Sequence, residues 1–196
     1  MQTEIEAKWL DIDKGELRAK LKNIGAELVQ PERMMVRSVY DFADKSLEAK
    51  QGWVRVRDEA DKVTLSYKQL NDCTLHGTKE VSVKVDDYQN TCSLLQSIGL
   101  QQKSFQETKR ESWRFNEVEI EIDTWPWIPS FVEIEANNEN DLREVAKKLE
   151  LDYSEALHGS VETAYIAIYD VTEDEINDWS EIKFTDVPDW LGAKLK

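Results

Sequence analysis

Six stretches of the chain alternate apolar and polar side chains with a period of two. They are Glu4-Ile5-Glu6-Ala7-Lys8-Trp9, Trp53-Val54-Arg55-Val56-Arg57, Val63-Thr64-Leu65-Ser66-Tyr67-Lys68, Glu80-Val81-Ser82-Val83-Lys84, Val118-Glu119-Ile120-Glu121-Ile122-Asp123 and Val132-Glu133-Ile134-Glu135. Successive side chains of an extended segment point to opposite faces, so each stretch predicts a strand with one apolar and one polar or charged face. A single strand of this kind ordinarily turns its charged face to water. Recurrence in six strands raises another possibility: if they share a sheet that closes on itself, the charged faces all point out or all point in.

The stretches between these strands read as helices and turns. Asp13 can cap a helix through about Asn23 with the apolar stripe Leu17, Leu21 and Ile24, closed by Gly25. A strand from Met34 to Tyr40, a loop from Asp41 to Gly52 and a polar connection over 69–79 surround the hairpin of residues 53–57 and 63–68. A second helix, about Asp87 to Ser97, carries Leu94, Leu95 and Ile98 and ends at Gly99. Strands follow at 103–115, 117–123 and 131–136, then helices at 138–149 and 154–169. The tail from Thr172 to Lys196 carries Trp179, Phe184 and Trp190, spaced as anchors that dock it on the body. The domain expected is 1–170, with 171–196 as a docking tail.

The order strand, helix, Ile-Gly, strands occurs twice, which predicts an internal duplication. Glu4-x-Glu6-x-Lys8 corresponds to Glu80-x-Ser82-x-Lys84, Leu21-Lys-Asn-Ile24-Gly25 to Leu95-Gln-Ser-Ile98-Gly99, and Arg37-Ser-Val-Tyr40 to Arg110-Glu-Ser-Trp113, at offsets of 76, 74 and 73 residues. The first half carries bases at Arg55, Arg57 and Lys68. The second half carries acids at Glu119, Glu121, Asp123, Glu133 and Glu135. One wall of the closed sheet is therefore expected to be cationic and the other anionic.

The helical stripes decide the orientation. With charged faces outward, the apolar faces would fill a small barrel and leave the helices nothing to cover. With charged faces inward, the apolar faces receive the helices and the barrel encloses a wet, charged channel. The expectation is an α+β fold: a closed eight-stranded antiparallel β-barrel with helices packed outside, built from two pseudo-repeats.

Composition narrows the chemistry. The 196 residues suit one domain, and the formal net charge of −15 argues against nucleic acid and anionic membrane as partners, both of which need a basic surface. No run approaches a membrane span, and the charged first strand leaves no room for a signal peptide, so a cytoplasmic location is expected. Cys73 and Cys92 form no CxxC and read as reduced structural thiols. A cluster of like-charged carboxylates is unfavourable without cations and makes sense around a hard divalent ion such as Mg²⁺ or Mn²⁺. Guanidinium and ammonium groups on the opposite wall suit phosphate oxygens.

Together, Glu4-x-Glu6-x-Lys8, Arg55-x-Arg57, Lys68, Lys109-Arg110, Asp123 and Glu133-x-Glu135 resemble the CYTH superfamily, the triphosphate tunnel metalloenzymes that include class IV adenylyl cyclases, thiamine triphosphatases and inorganic triphosphatases. The resemblance spans about residues 1–170. It implies Glu4, Glu6, Asp123, Glu133 and Glu135 as metal ligands or their supports, and Lys8, Arg37, Arg55, Arg57, Lys68, Lys84 and Arg110 as phosphate-binding groups. Glu6 and Lys8 are the expected catalytic pair. Ser82 departs from the family pattern, in which many members carry a carboxylate, and puts a second metal position in doubt.

The resemblance implies a metal-dependent hydrolase of a small triphosphate, inorganic or organic. A class IV type adenylyl cyclase and a non-catalytic polyphosphate or nucleotide module are the alternatives, and a homodimer is left open. Trp53, on the charged face two residues before Arg55, either stacks on an organic ring or packs at the mouth. Trp125-Pro126-Trp127-Ile128-Pro129 reads as a packed corner, and His76 and His158 as ordinary loop or helix-end histidines.

Overall fold

In the computed structural model, residues 2–3, 5–70 and 78–196 are described, with side chains from residue 5 on and excluding Thr78. Glu4, Cys73 and His76 lie outside them. The chain forms β1 (Gln2–Thr3), β2 (Ile5–Trp9), α1 (Lys14–Asn23), β3 (Glu27–Phe42), β4 (Gly52–Asp58), β5 (Val63–Leu70) and β6 (Thr78–Val85). There follow α2 (Tyr88–Ser97), β7 (Leu100–Phe115), β8 (Val118–Thr124), β9 (Phe131–Ala136), α3 (Glu139–Lys148), α4 (Glu162–Ile168), α5 (Glu173–Asn177), β10 (Glu181–Ile182) and α6 (Asp189–Gly192).

The sheet runs β1-β6-β5-β4-β3-β7-β8-β9-β2, every pairing along it antiparallel, with β10 added parallel to β7. Because β1 and β2 are consecutive along the chain, the two ends of the order meet in one N-terminal segment and eight strands curl into a barrel. That closure is short: Gln2 and Thr3 pair with Glu80 and Lys79, and beyond them β6 turns Val81 and Val83 to solvent. The order also maps onto itself when β2-α1-β3-β4-β5 is exchanged with β6-α2-β7-β8-β9. That is the symmetry expected of a duplication, with the two 16-residue strands β3 and β7 paired at its centre.

The apolar faces look outward, away from the barrel axis. Ala7, Trp9, Ile120, Ile122, Val132 and Ile134 pack under Leu17 and Leu21 of α1 and Leu142, Val145 and Ala146 of α3. Tyr40 and Val56 receive Cys92 and Leu95 of α2. Each fully buried aliphatic side chain in such a cluster contributes about 1.5–3 kcal/mol. Asp13 caps α1 as the sequence indicates, and Asp87 and Asn138 cap α2 and α3 in the same way, each accepting from the backbone N–H three residues on. Gly25 and Gly99 follow their helices at φ +82° and +103°.

Three elements differ from expectation. α2 buries Thr91, Cys92 and Leu95 and leaves Leu94 and Ile98 exposed, so its packed face is not the expected stripe. β3 begins at Glu27 rather than Met34, running through Pro31 because its register on β7 shifts on both sides of Gln30 and absorbs a residue without an N–H. The helix expected over 154–169 is confined to α4. Residues 156–158 instead run beside β2, where Lys8 and Leu157 exchange both backbone hydrogen bonds, and Gly159 then turns the chain at φ +95°. The tail packs by Trp179 and Trp190 against Trp127 of the β8–β9 corner, ring centres 5.2–6.5 Å apart and edge to face. No helix among the described residues is long and apolar enough to cross a membrane.

Candidate active site

The inward faces line a cavity of about 570 Å³, within the range of small-molecule sites. Register explains how eight strands supply it. Arg37 lies opposite Arg57 on β4 and Gln106 on β7, Lys68 opposite Trp53 and Glu80, and Glu133 opposite both Lys8 and Glu121. Alternation then puts Glu6 and Lys8, Arg55 and Arg57, and Glu121 and Asp123 on the same interior surface.

Lys8 is 3% exposed and stands between two carboxylates, 3.3 Å from Glu6 and 3.1 Å from Glu133, while its ammonium donates to the Gly159 carbonyl at 2.6 Å. Burial alone would lower its pKa, but attraction by Glu133 and Glu6 outweighs it and holds the ammonium above its usual range. Glu133 is the mirror case. Burial opposes its charge, and Lys8, Arg110 and Lys68 together bring its pKa down to about 2. Arg110 makes a two-pronged pair with Asp123 at 2.7 and 2.5 Å and reaches Glu133 at 3.4 Å.

The walls are less cleanly divided than the sequence implies. Arg110 sits within the acidic wall, and Glu80 sits within the basic one, 3.5 Å from Arg55 and 3.0 Å from Lys68. Arg57 is engaged by Glu59 at 3.0 and 2.8 Å. Arg37 differs from these. Its Nε donates to Gln106 at 2.6 Å and its guanidinium covers the Trp125 ring at 4.1 Å, with no carboxylate within ion-pair distance among the described residues. Burial, then Arg55 and Arg57, pull its pKa well below the usual value. A cation held among cations is unfavourable alone and favourable beside a polyanion.

The structure brings together Glu6, Lys8, Arg37, Arg55, Arg57, Lys68, Arg110, Asp123, Glu133 and Glu135. Lys84 is not with them. It stands exposed on β6 beyond the short pairing with β1 and outside the cavity lining, so its expected phosphate role is corrected. Ser82 bonds Ser66 at 2.8 Å. Trp53 lines the cavity, half-buried, and His158 only approaches the Glu6 carbonyl, at 3.3 Å.

Sequence reasoning missed Glu59, Gln106 and Trp125, whose roles arise from partners on other strands or past a turn. It also gave no role to Glu121. Burial raises the Glu121 pKa to about 7 against the pull of Arg110, and its Oε2 is buried with no hydrogen-bond partner. Among the described residues no three carboxylate, imidazole or thiol groups converge as a metal site. The donor chemistry nonetheless fits a hard divalent ion: carboxylate oxygens from β2, β8 and β9, one of them unpartnered.

Residues 2–165 match the family model of the CYTH domain, and the chain belongs to that family. No curated relative matches. Among solved structures, a candidate adenylate cyclase from Vibrio parahaemolyticus is 16% identical, with TM-score 0.72 over 83% of this chain and 97% of that one. The PH1012 protein of Pyrococcus horikoshii OT3 is 19% identical, with TM-score 0.66 over 78% and 93%. HpAC1 of Hippeastrum, a candidate adenylyl cyclase described as having a dominant triphosphatase activity, is 13% identical, with TM-score 0.59 over 89% and 94%. At these identities the likeness establishes the fold.

Proposed function

We propose that the protein hydrolyses a triphosphate, either inorganic triphosphate or an organic triphosphate such as thiamine triphosphate, inside the tunnel and with the help of Mg²⁺ or Mn²⁺. The observation that carries this reading is the convergence of Arg37, Arg55, Arg57 and Lys68 from three adjacent strands on one cavity, facing Glu6, Glu121, Asp123, Glu133 and Glu135. The basic groups take the phosphate oxygens, guanidinium two-pronged and ammonium as a point charge. Glu6, Asp123, Glu133 and Glu135, with Glu4, would hold a divalent ion, which would supply charge that offsets a triphosphate in this acidic protein.

Lys8, whose three N–H groups are taken by Glu6, Glu133 and the Gly159 carbonyl, would donate to a non-bridging oxygen of the terminal phosphate by exchanging one carboxylate partner for it. Glu6 orients the attacking water by accepting its hydrogen bond. The water oxygen joins the terminal phosphorus as the bridging P–O bond breaks, releasing orthophosphate and the diphosphate. Preorganised charge around the transferring group is the expected source of most of the acceleration. The triphosphatase activity named for HpAC1, on the same fold, supports hydrolysis over cyclisation. Trp53 beside the phosphate wall favours an organic substituent on the substrate.

Purified protein with Mg²⁺ or Mn²⁺ is to be incubated separately with triphosphate, thiamine triphosphate and ATP. Orthophosphate release supports the proposal. Pyrophosphate with a cyclic nucleotide makes the protein a cyclase, and tight binding without product makes it a binding module. Glu133→Gln is expected to lower turnover at least about 100-fold with the fold retained, and full activity in that variant contradicts the site.

A further inference from the structure

One stretch that the family match leaves out reaches the cavity. Beyond residue 165, α5 contributes Glu173, Asp174, Ile176 and Asn177 to the lining, at the mouth that also holds Trp53, Ser104 and Glu162. This stretch is fastened on every side. Thr172 and Glu175 form a reciprocal cap on α5, and Asp178 pairs with Lys45 of the β3–β4 loop at 3.1 Å. Ser104 Oγ donates to the Trp179 carbonyl at 2.7 Å, and β10 then joins the edge of β7. Ile176 is buried against Tyr165 and the Trp125 corner, which holds α5 in place as a wall.

Its charge is opposite to that of the basic wall formed by Arg37, Arg55, Arg57 and Lys68. Glu162 attracts Arg37 electrostatically and repels Glu173, whose carboxyl is raised by burial and then by Glu162 and Asp174. One buried oxygen of Glu162 has no hydrogen-bond partner. Glu162 thus interacts both with Arg37 and with α5, and an anionic chain that extends from Arg37 toward α5 meets Glu162, Glu173 and Asp174.

We infer that residues 172–178 determine specificity by ending the basic wall with a fixed anionic one, so that the tunnel accepts a triphosphate and rejects longer polyphosphate chains. The inference rests on the triphosphatase reading above and adds to it the limit on chain length. A fourth phosphate placed past Arg37 adds negative charge next to three carboxylates and against a segment whose cap, ion pair and strand pairing resist withdrawal. A neutral or cationic group at that position meets no such opposition.

The test is calorimetric titration of inorganic triphosphate and of inorganic tetraphosphate, without metal so that nothing is cleaved. It compares wild type, Glu173→Gln/Asp174→Asn and Asn177→Asp, each checked by its melting curve. Wild type is expected to bind triphosphate at least about tenfold more tightly than tetraphosphate. The neutralised variant is expected to narrow that ratio by about threefold or more, through tetraphosphate, the size of effect that partly screened charges a few ångströms apart produce. Asn177→Asp is expected to widen it. Triphosphate binding with a ratio unchanged in both folded variants, or a wild type that prefers tetraphosphate, overturns this inference alone. Failure of wild type to bind either chain, both without metal and with Mg²⁺ restored, overturns it together with the tunnel reading.

Discussion

At the scale of single residues the tunnel consists of mismatched charges held in place by their neighbours. Lys8, Glu133 and Arg110 satisfy one another, whereas Arg37 and Glu121 carry electrostatic cost in the folded state. For Glu121 the sign is definite. Its folded pKa of about 7 lies above its ordinary value, so the folded state holds the extra proton between those limits and stability falls as pH rises through that window. In metal-free buffer, Glu121→Gln is expected to gain on wild type as pH rises from 5 to 8, by on the order of 2 kcal/mol in urea titrations. An advantage that is the same at both pH values contradicts this. The residue types of the site were legible in the sequence because alternation assigns them to one face. Their pairings were not: Glu59, just past the end of β4, folds back onto Arg57 two residues before it, and Arg110 enters the acidic wall because β7 crosses between the halves.

At the scale of elements, a period of two located most of the strands, and the caps Asp13 and Asp87 with Gly25 and Gly99 bounded two helices nearly to the residue. Where sequence reasoning failed, the competing force was tertiary. Residues around Leu157 give up helix to pair with Lys8 of β2, and β3 tolerates Pro31 by bulging. Because the apolar faces point away from the cavity, core and site are separable. Leu142→Ala, which empties a fully buried position under β8 and β9, is expected to cost about 2–5 kcal/mol in denaturant melts. Triphosphate affinity below the melting transition should stay within about twofold of wild type, since additivity holds for sites without shared partners. A loss of affinity comparable to the loss of stability would mean that the helical cover also shapes the tunnel.

At the scale of the whole molecule, a duplicated strand-helix-strands unit has diverged into a basic half and an acidic half. The symmetric strand order places the two around one axis. The duplication and the charge division were readable from repeats in the sequence, but the contribution of the tail to the cavity was not, since no periodicity marks where a terminal segment docks. The account requires that the inward cations are held at a cost to the free protein so as to receive a polyanion. The most direct measurement pairs the melting temperature of the free protein with calorimetric affinity for inorganic triphosphate, in wild type and Arg37→Met. The account predicts that the variant is as stable as wild type or more so, because a buried charge and its repulsion are removed, and that it binds triphosphate at least about tenfold more weakly. A variant that is destabilised while binding triphosphate as tightly as wild type would contradict it.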